Sequence, residues 1–210
     1  MFAAALFDLD GTLVDTEPRS QAAWRRLFSQ HGVALAGPLL ASFAGRPGKT
    51  VLAENLHLFP GDATVDDLFA EAMSYATSAA EPMPGAVELV QALHELGWPI
   101  GVVTSGTRDY ANAELTALGV RPLFETVITA EDVSRGKPDP EGYLLGCTRL
   151  GAEPARTVVF EDAPAGIEAA KAAGTFCVAI GADSSAADLA VADWTRVRPP
   201  FSFTATEKPE

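Results

Sequence analysis

Apolar residues gather along this chain in five short runs: 3–9 (AAALFDL), 99–104 (PIGVVT), 126–129 (TVIT), 157–161 (TVVFE) and 176–180 (FCVAI). The runs are nearly continuous rather than alternating, which is the pattern of strands buried on both faces. From residue 85 on, helix-like segments alternate with them, at 85–96, 108–118, 140–150 and 164–173. Gly97, Gly119, Gly151 and Gly174 follow these segments where helix C-terminal stops belong. Strands and helices in alternation predict an α/β fold, a parallel sheet covered by helices.

The alternation fails between 16 and 82. That stretch holds helix-like pieces at 17–31, about 48–57 and 65–80, with no strong strand, and ends in the stiff sequence Glu81-Pro82-Met83-Pro84-Gly85. The reading is an α/β core made of 1–15 and 83–210, interrupted by a helical insertion at 16–82. The tail from Pro199 on reads as loosely ordered.

Composition narrows the possibilities. With 210 residues, 48% of them hydrophobic, the chain can bury one sizeable core beside a small insertion. A net charge of −13 argues against nucleic-acid and anionic-membrane surfaces. It also means that an anionic substrate must be drawn in by local positive charge or by a metal. No apolar run reaches transmembrane length. The run from Phe2 to Phe7 has no basic segment before it and is closed by Asp8, unlike a signal peptide. A cytoplasmic monomer is expected. Cys147 and Cys177 sit in apolar contexts without metal-ligand spacing and read as small buried residues. His31, His57 and His94 share no motif.

The candidate chemistry lies at the strand ends. In FDLDGTLVD (7–15), Asp8 and Asp10 fall on the same side of an extended chain, just before a turn at Gly11. Open parallel sheets bind ligands at this end of their strands. Two acids near a turn can also be a simple loop feature, but the other strands end comparably. Thr104-Ser105-Gly106 follows one run, Glu161-Asp162 ends another, and Lys137 lies in the GKPDP turn after a third. Together they supply the parts of phosphoryl transfer: a nucleophilic carboxylate, a second acid for the leaving oxygen, phosphate-binding hydroxyl and N–H groups, and a neutralising lysine. Hard oxygen ligands suit Mg²⁺, which would offset the cost of gathering like charges.

FDLDGTLVD resembles motif I of the haloacid dehalogenase superfamily, VVTSG its motif II, GKPDP its motif III and VVFEDAPAGIEAAKAAG its motif IV, in the family's order. The resemblance implies a Rossmann-like sheet of strand order 5-4-1-2-3, with a helical C1 cap at 16–82. It implies Asp8 as nucleophile, forming an aspartyl-phosphate, and Asp10 as general acid and then base. It implies Mg²⁺ held by the side chains of Asp8 and Asp162 and the main-chain carbonyl of Asp10, with Glu161 acting through a metal-bound water. Thr104 would bind phosphate through its hydroxyl, Leu9, Ser105 and Gly106 would lie against it, and Lys137 would contact Asp8 and the phosphoryl oxygens. TSGTRD, GKPDPEGYLLG and the cap segment AAWRRLFSQHGV are most similar to the phosphatases of small sugar and polyol phosphates. Arg19, Arg46 and Lys49 of the cap and Arg108 after motif II are the candidate substrate contacts, and Trp24 is expected to pack inside the cap. The alternative is a β-phosphoglucomutase-like mutase. Ser20 and the cap turn Gly45-Arg46-Pro47-Gly48-Lys49 depart from the mutase pattern.

Overall fold

A computed structural model describes residues 2–43, 46, 48–76, 81–181, 186–194 and 197. In chain order its first elements are β1 (Ala4–Phe7), β2 (Val14–Asp15), α1 (Glu17–Gln30), α2 (Gly37–Ala41), α3 (Gly48–Asn55) and α4 (Val65–Tyr75). Then come β3 (Glu81–Pro82), α5 (Ala86–Glu95), β4 (Ile100–Val103), α6 (Arg108–Ala117) and β5 (Thr126–Ile128). The last are α7 (Glu141–Arg149), β6 (Thr157–Glu161), α8 (Pro164–Ala172), β7 (Phe176–Ile180) and β8 (Leu189–Val191).

Six strands form one parallel sheet in the order β5-β4-β1-β6-β7-β8. The five expected strands keep the 5-4-1-2-3 arrangement, and β8 adds a sixth at the β7 edge. Its three residues, Leu189, Ala190 and Val191, are apolar but make too short a run to announce a strand. Tertiary bonds hold it there instead: Gly181 N donates to Val191 O, and Asp188 is tied to Cys177 N at 2.8 Å and to Lys171. The chain continues from β1 towards β5 on one side and returns towards β8 on the other. The C-terminal ends of β4, β1 and β6 therefore meet at a topological switch point, where a ligand crevice forms.

Successive residues of a strand face opposite layers. Leu6 packs with Val103, Ile128 and Val159 against Tyr143 of α7 and Ile167 of α8. On the other face, Phe7 stacks on Phe160 with ring centroids 5.0 Å apart, and Trp194 packs against both. Cys147 and Cys177 are buried. The predicted glycine stops are real: Gly97, Gly119, Gly151 and Gly174 all take positive φ, a conformation that costs other residues free energy.

The chain divides into two compact units, 1–15 with 81–210, and 16–80. Glu81 and Pro82, expected in the insertion, pair instead with Asp15 and Val14 as an antiparallel two-stranded ribbon within the first unit. The second unit is helical and has its own core. Trp24 stacks on Phe43 at 4.4 Å, and Phe28 packs edge-on against Phe59. A capping box between Thr64 and Asp67 starts α4. That helix ends at Tyr75, short of the expected residue 80, and 77–80 lie outside the described residues, as does the tail from Pro199. The short α2 was not expected. Among the described residues no helix is long and apolar enough to cross a membrane.

The loop after β5 is fixed by Asp132, which accepts from Thr129 N at 3.0 Å, Arg108 Nη2 at 2.9 Å and Arg149 Nη2 at 2.9 Å. Burial alone would raise its pKa, but these donors outweigh burial and hold the carboxyl well below the usual carboxylate range. A depressed folded-state pKa stabilises the fold above the unfolded value and loses that stability as pH falls through the folded one. Asp132→Asn should therefore lower thermal stability at neutral pH by ~2 kcal/mol. Melting curves should show the gap between variant and wild type shrinking below about pH 4.

Candidate active site

β1 and β6 are neighbours, with Phe7 opposite Phe160. This register delivers Asp8 and Glu161 side by side at the C-terminal edge. Asp8 N continues the ladder by donating to Phe160 O at 2.9 Å. After Asp8 the chain turns sharply. Leu13 N and Val14 N both donate to Leu9 O, and the Trp194 indole donates to Thr12 O at 2.8 Å. Gly11 is required twice here. Its φ is +82°, and a Cβ would lie 2.1 Å from Asp162 Oδ2. The turn also lets Thr12 Oγ1 donate to Asp162 Oδ1 at 3.2 Å.

Lys137 sits between the acids. Its ammonium lies 2.5 Å from Asp8 Oδ1 and 2.5 Å from Glu161 Oε1, and 5.2 Å from the centre of the Tyr143 ring. Four donors converge on Glu161: Lys137 Nζ and Tyr143 Oη on Oε1, and the Asp162 and Ala163 amides on Oε2. A carboxylate has about four acceptor positions, so Glu161 is fully engaged as an anchor for the lysine and for the start of α8. Gly166 makes room for it, since a Cβ there would fall 1.6 Å from Glu161 Oε1.

The electrostatics follow from crowding. Burial raises the Asp8 pKa most; Lys137 opposes this, while Glu161, Asp162 and Asp10 add to it, leaving the pKa well above the usual range. Burial and then Glu161 push Asp162 up to about 6. Burial alone would favour neutral Lys137, but Asp8 and Glu161 outweigh it and hold the ammonium charged. Oxygens of Asp8, Glu161 and Asp162 lie within 4.8 Å of one another. Hard, closely spaced carboxylate oxygens with unbalanced negative charge suit a small divalent cation such as Mg²⁺.

The remaining expected residues divide into two groups. Thr104 and Ser105 line a cavity of about 200 Å³ together with Lys137, Gly136, Asp139 and Tyr143. The Thr104 hydroxyl accepts from Gly106 N at 3.0 Å. Asp10 accepts a hydrogen bond from Tyr110 Oη. The Leu9 side chain is fully buried, so only its main chain is available to a ligand.

The outlying cations have protein partners. Arg108 reaches Asp132, Arg46 Nη2 lies 2.6 Å from Glu54, and Lys49 Nζ lies 2.7 Å from Asp66. Arg19 is half-buried on α1. Gly45 and Pro47 of the cap turn lie outside the described residues. Sequence reasoning missed Tyr110, Tyr143, Gly166 and Trp194. Only Tyr143 carried a signal, an aromatic residue close after the GKPDP turn.

A match to the haloacid dehalogenase-like hydrolases spans residues 2–174. The chain is 51% identical to the validoxylamine A 7'-phosphate phosphatase of Streptomyces hygroscopicus subsp. limoneus, over 92% of each chain. It is 39% identical to hexitol phosphatase A of Escherichia coli, over 84% of this chain and 82% of that one. The solved β-phosphoglucomutase of Clostridium difficile superposes with a TM-score of 0.75 at 25% identity, covering 94% of each chain. Four motifs on neighbouring strand ends, together with this extent of similarity, establish the chain as a member of the haloacid dehalogenase-like hydrolase family, and an enzyme.

Proposed function

We propose that this enzyme hydrolyses phosphomonoesters of small sugars or polyols, with Asp8 as the nucleophile. The observation that carries the reading is Lys137, whose ammonium bridges Asp8 and Glu161 beside Asp162. Four carboxylates against one ammonium are poorly balanced without a ligand. A divalent cation beside the acids would reduce this imbalance and offset the charge that a phosphoryl group brings with it.

In this reading an Asp8 oxygen attacks phosphorus while the bond to the substrate oxygen breaks. Asp10 gives its proton to that oxygen, and the alcohol leaves. Asp10, now a carboxylate, takes a proton from water as the water attacks the phosphorus of the aspartyl-phosphate. Inorganic phosphate departs and Asp8 is regenerated. Lys137 offsets charge on the phosphoryl oxygens, and the Thr104 hydroxyl donates to one of them. Asp8 and Asp162, with the Asp10 carbonyl, would hold Mg²⁺, and Glu161, whose acceptor positions are taken by protein donors, would hold Lys137 beside them and not act through a water on the metal. Bound there, the metal supplies positive charge that keeps Asp8 ionised and neutralises the phosphate. The substrate class rests on the relatives, which are named for a validoxylamine A phosphate and for hexitols. The helical unit is assigned the selection among such substrates.

Asp8→Asn should reduce turnover by ~10⁴-fold or more and leave the melting temperature within a few degrees of wild type, because it relieves like-charge crowding. Residual activity of several per cent would remove Asp8 as nucleophile. Chelation of divalent metal should abolish phosphate release, and Mg²⁺ should restore it; activity that survives chelation would exclude the metal. A phosphate-release screen over glycerol, hexose, hexitol and pentose phosphates tests the substrate class. With β-glucose 1-phosphate, free phosphate is expected, and accumulation of glucose 6-phosphate would identify a mutase.

A further inference from the structure

The geometry points to Tyr110 as the residue that positions the carboxyl group of Asp10 for proton transfer, by donating its phenolic hydrogen to Asp10 Oδ1. This rests on the reading of Asp10 as general acid. Tyr110 lies in the first turn of α6, directly after the Thr104-Ser105-Gly106 segment. Two features fix it. Thr107 caps the helix by accepting from Tyr110 N at 3.4 Å, which sets the backbone from which the side chain projects. Gly106 leaves space for the ring, since a Cβ there would lie 2.7 Å from Tyr110 Cδ1. The hydroxyl then reaches Asp10 Oδ1, a hundred residues away in sequence.

The consequence concerns where the acid keeps its proton. A phenol beside carboxylates stays protonated and acts as donor. The oxygen that accepts its hydrogen is the poorer site for the acid's own proton, so the proton delivered to the leaving group resides on Oδ2. A bond to one carboxyl oxygen also restricts rotation of the whole group. General acid catalysis depends on such placement within hydrogen-bond reach. Tyr110 thus acts through Asp10, as a positioning residue.

The test compares leaving groups. An alkoxide leaves only with a proton, whereas p-nitrophenolate leaves without one. The ratio kcat/KM reports the steps through formation of the aspartyl-phosphate, where leaving-group protonation occurs. Tyr110→Phe keeps the ring and removes only the hydroxyl. It should lower kcat/KM for an alkyl phosphate such as glycerol 3-phosphate by ~10- to 100-fold, and change kcat/KM for p-nitrophenyl phosphate less than ~3-fold. Equal losses on both substrates would show a merely structural role and overturn the inference. So would a change confined to KM, which would make Tyr110 a substrate contact. Asp10→Asn serves as the reference and should show the same selectivity more strongly. If Asp10→Asn is selective and Tyr110→Phe is not, the inference alone falls. If Asp10→Asn is not selective, the general-acid reading falls and takes the inference with it.

Discussion

The ammonium of Lys137, held 2.5 Å from both Asp8 and Glu161, is the interaction on which the site depends. Burying carboxylates together costs several kcal/mol each unless opposite charge and hydrogen bonds compensate. Lys137 does part of this, and the architecture is arranged to keep it there. The β1–β6 register sets the two acids side by side. Tyr143 on α7 steadies both the lysine and Glu161. Gly166 lets the first turn of α8 close over the Glu161 carboxylate, and Gly11 lets the β1 turn approach Asp162. Each of these residues places charge rather than merely filling space. The compensation is incomplete: the pKa values of Asp8 and Asp162 remain raised, and further positive charge beside them would lower both.

The five core strands and the helices between them could be read from the chain because each carries its own period and its own glycine stop. The four motif segments were legible for a related reason. They are polar interruptions at the ends of apolar runs, and topology brings such ends together. What could not be read depends on distant partners. β8 is held by Asp188 and by its pairing with β7, not by its own three residues. The β2–β3 ribbon joins positions on either side of the helical unit. Trp194 anchors a main-chain carbonyl at Thr12, and nothing near residue 194 announces that. Gly166 reads as an ordinary helix residue until the carboxylate beneath it is seen.

The cations show the same limit. Arg108 follows motif II, and nothing in that segment announces that its guanidinium, with that of Arg149, braces Asp132 in the loop after β5. Arg46 and Lys49 pair with Glu54 and Asp66 within the helical unit. A surface cation's partner is set by tertiary geometry, which charge alone does not encode. Tyr110 is the converse case. As an aromatic residue in a helix's first turn it suggests packing, but its hydroxyl meets Asp10 because Gly106 leaves room for the ring. In this chain the candidate catalytic residues are legible as motifs, and the residues that orient them emerge only from the fold.

The central claim is that the carboxylate held by Lys137 becomes covalently phosphorylated. It is tested most directly by mixing the Asp10→Asn enzyme, in which hydrolysis of the intermediate is slowed, with Mg²⁺ and p-nitrophenyl phosphate, then quenching with borohydride, which reduces an acyl phosphate to the alcohol. Peptide mass spectrometry should find homoserine in place of aspartate at position 8, and only when substrate is present. Reduction at another carboxylate, or an unmodified position 8 after a full equivalent of p-nitrophenol has been released and no phosphate has been, would contradict the account.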